Sequence, residues 1–169
     1  LAGGGASVDS AAQAPRAAGA AFDRTVELQG VRFHVTCANQ GSINMLTIVP
    51  AGLEIDNSPI VRTIDGTVTG AEVGDINADG SPEIYVYVIS AGSGSYGSLV
   101  AYSANRRKSL SEIHLPPVSR DKKFSSGYRG HDAFAVVEGI LMVRYSRRDL
   151  APAAALDAQG EPELAAMTY

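Results

Sequence analysis

The sequence of 169 residues has one cysteine, no tryptophan and no long apolar run. Because Cys37 stands alone, neither an intramolecular disulfide nor a cysteine-based zinc site can form. Stability must therefore come from packing. The longest apolar run, Ile84 to Ile89, is far shorter than the roughly 20 residues needed to span a bilayer, so we expect a protein that is soluble or peripheral to a membrane.

Positive charge is also scarce. Lys and Arg number 14 against 18 Asp and Glu, which gives a formal net charge of −4. A nucleic-acid surface needs clustered Lys and Arg to replace the counterions of the phosphates. The composition therefore argues against a nucleic-acid partner and leaves proteins, glycans and cations open.

The length and the 45% hydrophobic content suit one domain with its own core. Residues 1–21 are rich in Ala, Gly and Ser, and such a segment buries too little surface to offset the entropy of ordering. We predict a disordered leader over residues 1–21 and a β domain over residues 22–169. The chain starts without Met, which fits a processed or trimmed N-terminus, and it contains no signal peptide that would indicate export.

Short alternating runs separated by turn residues recur along the chain, and strong helical periodicity is missing. This pattern predicts an all-β fold: a single-domain antiparallel β-sandwich or barrel of about eight strands with few or no helices. Glu83 to Ile89 is apolar on both faces, which predicts a central strand covered on each side. Met45 to Val49 is predicted as a strand that Pro50 ends.

The turn before that strand has acidic and amide side chains at alternate positions, Asp75, Asn77 and Asp79, followed by Gly80 and Glu83. This spacing resembles the start of a calcium loop. An EF-hand needs a Glu at the twelfth position and flanking helices, whereas Val86 stands there and strands flank the loop. A shorter calcium loop formed by Asp75, Asn77 and Asp79 remains the alternative to a turn whose side chains bond their own backbone, which we prefer.

The loop after the strand, Ser90 to Ser98, consists of small residues and one aromatic, Tyr96. A flexible connection is one interpretation. The other is a recognition loop, because Gly and Ser let the backbone enter a cleft while Tyr supplies apolar area and a hydroxyl at low entropy cost. The G-x-G-x-x-G spacing in this loop does not indicate a dinucleotide site, since a strand follows where a helix is required.

Ser93-Gly94-Ser95-Tyr96 forms an S-G-x-Y motif within P-E-I-Y-V-Y-V and S-A-G-S-G-S-Y-G-S-L-V-A-Y. With Leu115-Pro116-Pro117 and the segment from Gly127 to Phe134, this region resembles the periplasmic inhibitors of i-type (invertebrate) lysozyme. The resemblance covers roughly residues 24–145. Past Tyr145 the Ala-rich tail departs from the family's pattern, which leaves the last strand open.

The resemblance implies an exported, periplasmic bacterial protein that is not an enzyme, needs no cofactor and binds i-type lysozyme as its partner. It implies that Ser93 and Tyr96 enter the lysozyme cleft and that their hydroxyls hydrogen-bond the catalytic carboxylates, while Gly94 permits the tight turn. The remaining lysozyme-binding residues implied are Ser95 and a second loop of Tyr128, Arg129, Gly130 and His131. No metal site is implied, and the sequence leaves open whether the chain forms a homodimer.

Two other functions remain as alternatives to a lysozyme inhibitor. The first is a secreted calcium-binding β domain that recognises a glycan or a protein through the same loop. The second is a hydrolase that uses Ser93 with His131 and Asp132, although the G-x-S-x-G motif of a nucleophile elbow is missing.

Overall fold

The computed structural model describes residues 20–92, 96–114, 133–137, 140–144 and 164–167. These residues form eleven β-strands and no helix. The strands are β1 (Phe22–Leu28), β2 (Val31–Cys37), β3 (Ile43–Ala51), β4 (Ile60–Asp65), β5 (Thr67–Gly74), β6 (Glu83–Ile89), β7 (Gly97–Asn105), β8 (Ser109–Ile113), β9 (Ala133–Val137), β10 (Ile140–Arg144) and β11 (Leu164–Met167). Within this part of the chain, no helix long and apolar enough to cross a membrane exists.

The strands form three antiparallel sheets that follow the chain order closely. One sheet has the order β1-β2-β3-β4, the second β5-β6-β7-β8 and the third β11-β10-β9. Every pairing is antiparallel. The all-β prediction is therefore confirmed, and the arrangement is consistent with a sandwich.

The hairpin of β1 and β2 shows how local sequence sets the register. Gln29 and Gly30 connect the strands with φ angles of 51° and 78°, and positive φ at both central residues matches the right-handed twist of the strands they join. Leu28 therefore pairs with Val31. The resulting register turns Val31, Phe33 and Val35 inward, where all three are buried, while the residues between them face outward.

A first core lies between the two four-stranded sheets. Apolar side chains from β1 to β7 meet there, including Phe33 of β2, Leu46 of β3 and Val68 of β5, all with at most 1% of their surface exposed. Burial of this kind contributes about 25 cal/mol for each Å² of apolar surface removed from water. The packing of these two sheets is consequently the main source of stability in a chain without disulfides.

Strand β6 belongs to two cores at once. Ile84, Val86 and Val88 face the first core, whereas Tyr85 and Tyr87 face a second cluster that includes Leu141 of β10. The three-stranded sheet thus covers the second face of β6 through β9 and β10. This arrangement explains why Glu83–Ile89 is apolar on both faces, and it confirms the prediction of a central strand.

Two details differ from the prediction. About eight strands were expected and the described residues form eleven. The expected end of β3 at Pro50 is wrong, because β3 continues to Ala51 and Pro50 pairs with Phe33 of β2. The pairing of β3 with β4 stops at Ile48. Pro50 therefore lies where β3 pairs with β2 alone, and a proline is tolerated in a strand that is open on one side.

Several other predictions concern residues outside the described ranges. They are the disordered leader, of which only residues 20 and 21 are described, and the second loop from Tyr128 to His131. The division of the chain into a leader and one β domain stays a prediction.

Replacing Ile84 by Ala should test whether the covered strand β6 dominates stability. Ile84 is fully buried, whereas Ile55 is 73% exposed. We expect Ile84→Ala to lower the free energy of unfolding by about 2–5 kcal/mol, because it removes buried methyl groups and leaves a cavity. The matched change Ile55→Ala should alter it by less than about 0.5 kcal/mol. Denaturant unfolding of both variants measures these free energies. Similar losses in the two variants would contradict the conclusion that the covered strand β6 dominates stability.

Candidate functional site

The loop between β6 and β7 has a hydrogen-bonded base. The pairing of the two strands ends with Ile89 opposite Gly97. One residue further, the Ser90 amide donates to the Tyr96 carbonyl oxygen at 2.9 Å, and the Tyr96 amide donates to the Ser90 Oγ at 3.0 Å. These two bonds hold both ends of the loop together. The backbone of Tyr96 therefore has a fixed position at the end of the sheet.

Of the four residues in the S-G-x-Y motif, Tyr96 is the one that the structure describes. Its surface is 49% exposed, in contrast to Tyr85, Tyr87 and Tyr102, which are all at least 93% buried. A half-exposed aromatic ring at the end of a hairpin is available to a partner and costs little entropy when it binds. Ser93, Gly94 and Ser95 lie outside the described residues, as do Tyr128, Arg129, Gly130 and His131.

Gly66 supports the loop base from the neighbouring turn. Gly66 has φ +122°, and a Cβ built on it would lie 2.2 Å from the carbonyl oxygen of Ile89. Its amide donates to the carbonyl oxygen of Ser42 at 2.6 Å. The backbone of the turn between β4 and β5 therefore touches the end of β6 at a distance that only glycine permits.

Two buried asparagines hold this turn in place. Asn44 donates through Nδ2 to the carbonyl oxygens of Gly41 and Gly66, both at 2.7 Å. Asn39 accepts from the Val68 amide and donates to its carbonyl oxygen, both at 2.9 Å. Only 4% of Asn39 and 7% of Asn44 is exposed. Buried and satisfied amides of this kind fix one geometry, because breaking any bond leaves an unpaired polar group.

The outer face of β6 is anchored by polar contacts as well as by packing. Tyr87 donates its hydroxyl to Glu72 Oε2, which also accepts from the Val136 amide at 2.7 Å. The ring of Tyr87 stacks on Phe134 with centroids 5.7 Å apart. Burial raises the pKa of Tyr87, and the hydrogen bond to Glu72 raises it further. The hydroxyl therefore stays protonated and acts as a donor. Through these contacts β9 is joined to the strand that leads into the loop.

The Asp75–Glu83 turn lies at the other end of β6. The amide of Asp79 donates to Asp75 Oδ1 at 3.0 Å and to Asn77 Oδ1 at 3.1 Å, and the Ser81 amide donates to Asp79 Oδ1 at 2.8 Å. These are the bonds that the turn interpretation predicts. Carboxylate oxygens of Asp75, Asp79 and Glu83 also lie within 4.8 Å of one another.

Other candidates from the sequence have ordinary surroundings. His34 Nε2 lies 2.8 Å from Asp23 Oδ1 on the outer face of the first sheet. Cys37 is buried in the first core. The three residues of the hydrolase alternative, Ser93, His131 and Asp132, all lie outside the described residues.

Some residues that shape the site were not identified from the sequence. Gly66, Asn39 and Asn44 act across 22 or more positions in the chain. An Asp-Gly pair or a lone Asn indicates a turn, but it does not reveal which distant strand the turn contacts. Glu83 was read as part of the calcium-loop spacing, and its burial depends on packing that local patterns do not describe.

Comparison with known families gives one match. The family model described as PliI, periplasmic lysozyme inhibitor of I-type lysozyme, matches residues 52–123, somewhat under half of the chain. No curated protein and no solved structure matched. The match includes β4 to β8 and the loop with Tyr96, and it confirms the resemblance to this family over those residues.

Changing Gly66 to Ala should test the support of the loop base. The added Cβ must displace the backbone of Ile89 and Ser90, so we expect a loss of about 2–5 kcal/mol in the free energy of unfolding, from backbone strain and overpacking together. Gly30 also has a positive φ, but a Cβ there meets nothing within 4 Å. Gly30→Ala should therefore cost only about 1–2 kcal/mol. Equal losses in thermal or denaturant unfolding would show that the close contact is unimportant.

Proposed function

We propose, from the match of residues 52–123 to the inhibitor family PliI, that this protein is a periplasmic inhibitor of i-type lysozyme and not an enzyme. The observation that most supports this function is the position of Tyr96. The family match includes the loop, and Tyr96 stands half exposed beside a hydrogen-bonded loop base at the end of the best-packed strand.

The mechanism we propose is insertion of the loop from Ser93 to Tyr96 into the active-site cleft of the lysozyme. Lysozymes cleave peptidoglycan with two carboxylates, about 5–5.5 Å apart in retaining enzymes, of which one must be protonated. The hydroxyls of Ser93 and Tyr96 would hydrogen-bond these carboxylates, and Gly94 would allow the tight turn between them. Occupied carboxylates cannot reach the glycosidic bond, so hydrolysis stops.

Charge favours this loop over other surfaces of the protein. The whole chain carries a formal net charge of −4, yet Ser90 to Ser98 contains no Asp, Glu, Lys or Arg. A neutral loop can approach two carboxylates without the like-charge repulsion that an acidic segment would meet. Hydroxyl donors then supply charge-assisted hydrogen bonds, which are stronger than neutral ones.

Rigidity of the scaffold also supports the proposal. Strand β6 is buried on both faces, and Ser90 joins the two ends of the loop. A loop whose two ends are held in position before binding loses less entropy when it enters a cleft. We further propose, on the family resemblance alone, that Tyr128, Arg129, Gly130 and His131 form a second contact. One lysozyme per loop is the stoichiometry we propose, whether the chain is a monomer or a homodimer.

The direct test is a titration of i-type and c-type lysozymes with the purified protein while the lysis of cell walls is followed. We expect complete inhibition of the i-type enzyme near a one-to-one ratio and measure c-type lysozyme for selectivity. No inhibition of the i-type enzyme at stoichiometric excess would contradict the proposed function.

Variants of Tyr96 and Ser93 should show whether the loop acts in inhibition or in folding. We expect both Tyr96→Ala and Ser93→Ala to weaken inhibition. We expect Tyr96→Ala to weaken inhibition by about 30-fold or more, as for a residue that dominates an interface. Tyr96→Phe keeps the ring and should lose at least about 10-fold but less than Tyr96→Ala, because only the hydrogen bond to a charged group is removed. Tyr96→Phe should alter the free energy of unfolding by no more than about 0.5 kcal/mol, and Tyr96→Ala by no more than about 1 kcal/mol.

Val61→Ala provides the matched control for these variants, since Val61 is 58% exposed on β4. It should change neither inhibition nor stability. If Tyr96→Ala instead unfolds the protein while inhibition per folded molecule stays unchanged, the loop has a structural role and the insertion mechanism is wrong.

A further inference from the structure

The turn between β5 and β6 brings three acidic side chains together at the end of β6 opposite the loop. Carboxylate oxygens of Asp75, Asp79 and Glu83 lie within 4.8 Å of one another. Asp79 is exposed and Asp75 is half-buried, but only 2% of Glu83 is exposed. Exposed acidic side chains often cluster without binding a ligand, so the buried Glu83 is the informative member.

Glu83 has an unsatisfied oxygen. Its Oε2 accepts a hydrogen bond from the Ile76 amide at 2.8 Å. Its Oε1 is buried and, within the described part of the chain, has no hydrogen-bond partner. A buried acceptor without a partner is costly, above all on a group that carries charge, and native proteins nearly always provide one. The atom that satisfies Oε1 must therefore come from elsewhere, such as solvent.

The local charge favours a cation as that partner. The ion pairs of the described residues are Arg32–Glu27, His34–Asp23 and Arg62–Glu112, so none of them neutralises the cluster. Three carboxylates at this separation repel one another, and a bound divalent cation would turn that repulsion into attraction.

The geometry suits calcium. Ca²⁺ binds carboxylate and amide oxygens at about 2.3–2.6 Å, so two oxygens on the same ion lie at most about 5 Å apart. The loop backbone also holds the ligands in place, because Asp75 Oδ1 accepts from the Asp79 amide and Oδ2 from the Gly80 amide, both at 3.0 Å. Gln29 Nε2 also donates to Asp75 Oδ2, at 2.9 Å. A carboxylate has about four acceptor positions, so these three bonds leave one position, on Oδ1, for a metal ion.

We propose that the Asp75–Glu83 turn is a calcium-binding site in which carboxylate oxygens of Asp75, Asp79 and Glu83 coordinate one Ca²⁺. Asn77 donates through Nδ2 to Asp79 Oδ2 at 3.1 Å and thereby orients this ligand. The ion joins the end of β5 to the first residue of β6. Its role is to stabilise the hairpin, and it is independent of lysozyme binding, which uses the opposite end of β6.

The test is the melting temperature of the full chain, first treated with chelator and then titrated with calcium chloride to about 10 mM. A site with a dissociation constant on the order of 10⁻⁴ to 10⁻³ M, as in extracellular calcium modules, should raise the melting temperature by about 3–10 °C. Sodium chloride at matched ionic strength should not reproduce the shift. A melting temperature that calcium leaves unchanged, or that sodium chloride raises equally, would overturn the proposal.

The variant Glu83→Gln keeps the shape of the side chain and removes its charge. We expect it to fold in chelator and to lose the calcium-dependent shift, whereas Glu54→Gln, an exposed change outside the cluster, should keep the full shift. Should Glu83→Gln fail to fold, Asp79→Asn at the exposed ligand must abolish the shift instead. A full calcium shift in the folded Glu83→Gln or Asp79→Asn protein would overturn the assignment of the ligands.

Discussion

The burial of β6 on both faces is the constraint on which the rest of the structure depends. Ile84, Val86 and Val88 fill the core between the two four-stranded sheets, and Tyr85 and Tyr87 fill the core under β9 and β10. A strand packed on both sides cannot shift register without exposing one apolar face or burying polar groups on the other. The ends of β6 are thus held in fixed positions without a disulfide.

The two candidate sites of the protein lie at these two ends. Glu83 begins β6 and Ile89 ends it, which separates the acidic turn from the recognition loop by roughly 20 Å. At the Ile89 end, Gly66 and the asparagines Asn39 and Asn44 position the loop base through backbone contacts. At the Glu83 end, carboxylate oxygens of Asp75, Asp79 and Glu83 lie within 4.8 Å of one another, and Oε1 of Glu83 is buried without a hydrogen-bond partner among the described residues. One end suits a protein partner and the other suits a cation.

Much of the strand arrangement could be predicted from short-range sequence patterns. Short alternating runs predicted an all-β fold, and the run that is apolar on both faces predicted β6 as a central strand, because each of these patterns depends on neighbouring residues. The end of β3 was predicted wrongly at Pro50, since the effect of a proline depends on whether strands pair on both sides of it, and β4 does not reach that point. The contact of Gly66 with Ile89 and the burial of Glu83 could not be predicted, because both depend on residues that meet only after the sheets pack.

The most direct test of the central claim is a competition experiment on the lysozyme cleft. Binding of the protein to i-type lysozyme would be measured by calorimetry with and without a saturating peptidoglycan oligosaccharide that occupies the cleft. If the loop from Ser93 to Tyr96 enters the cleft, the oligosaccharide should raise the apparent dissociation constant by a factor of one plus the ratio of its concentration to its own dissociation constant. Binding of undiminished affinity to the filled cleft would contradict the account.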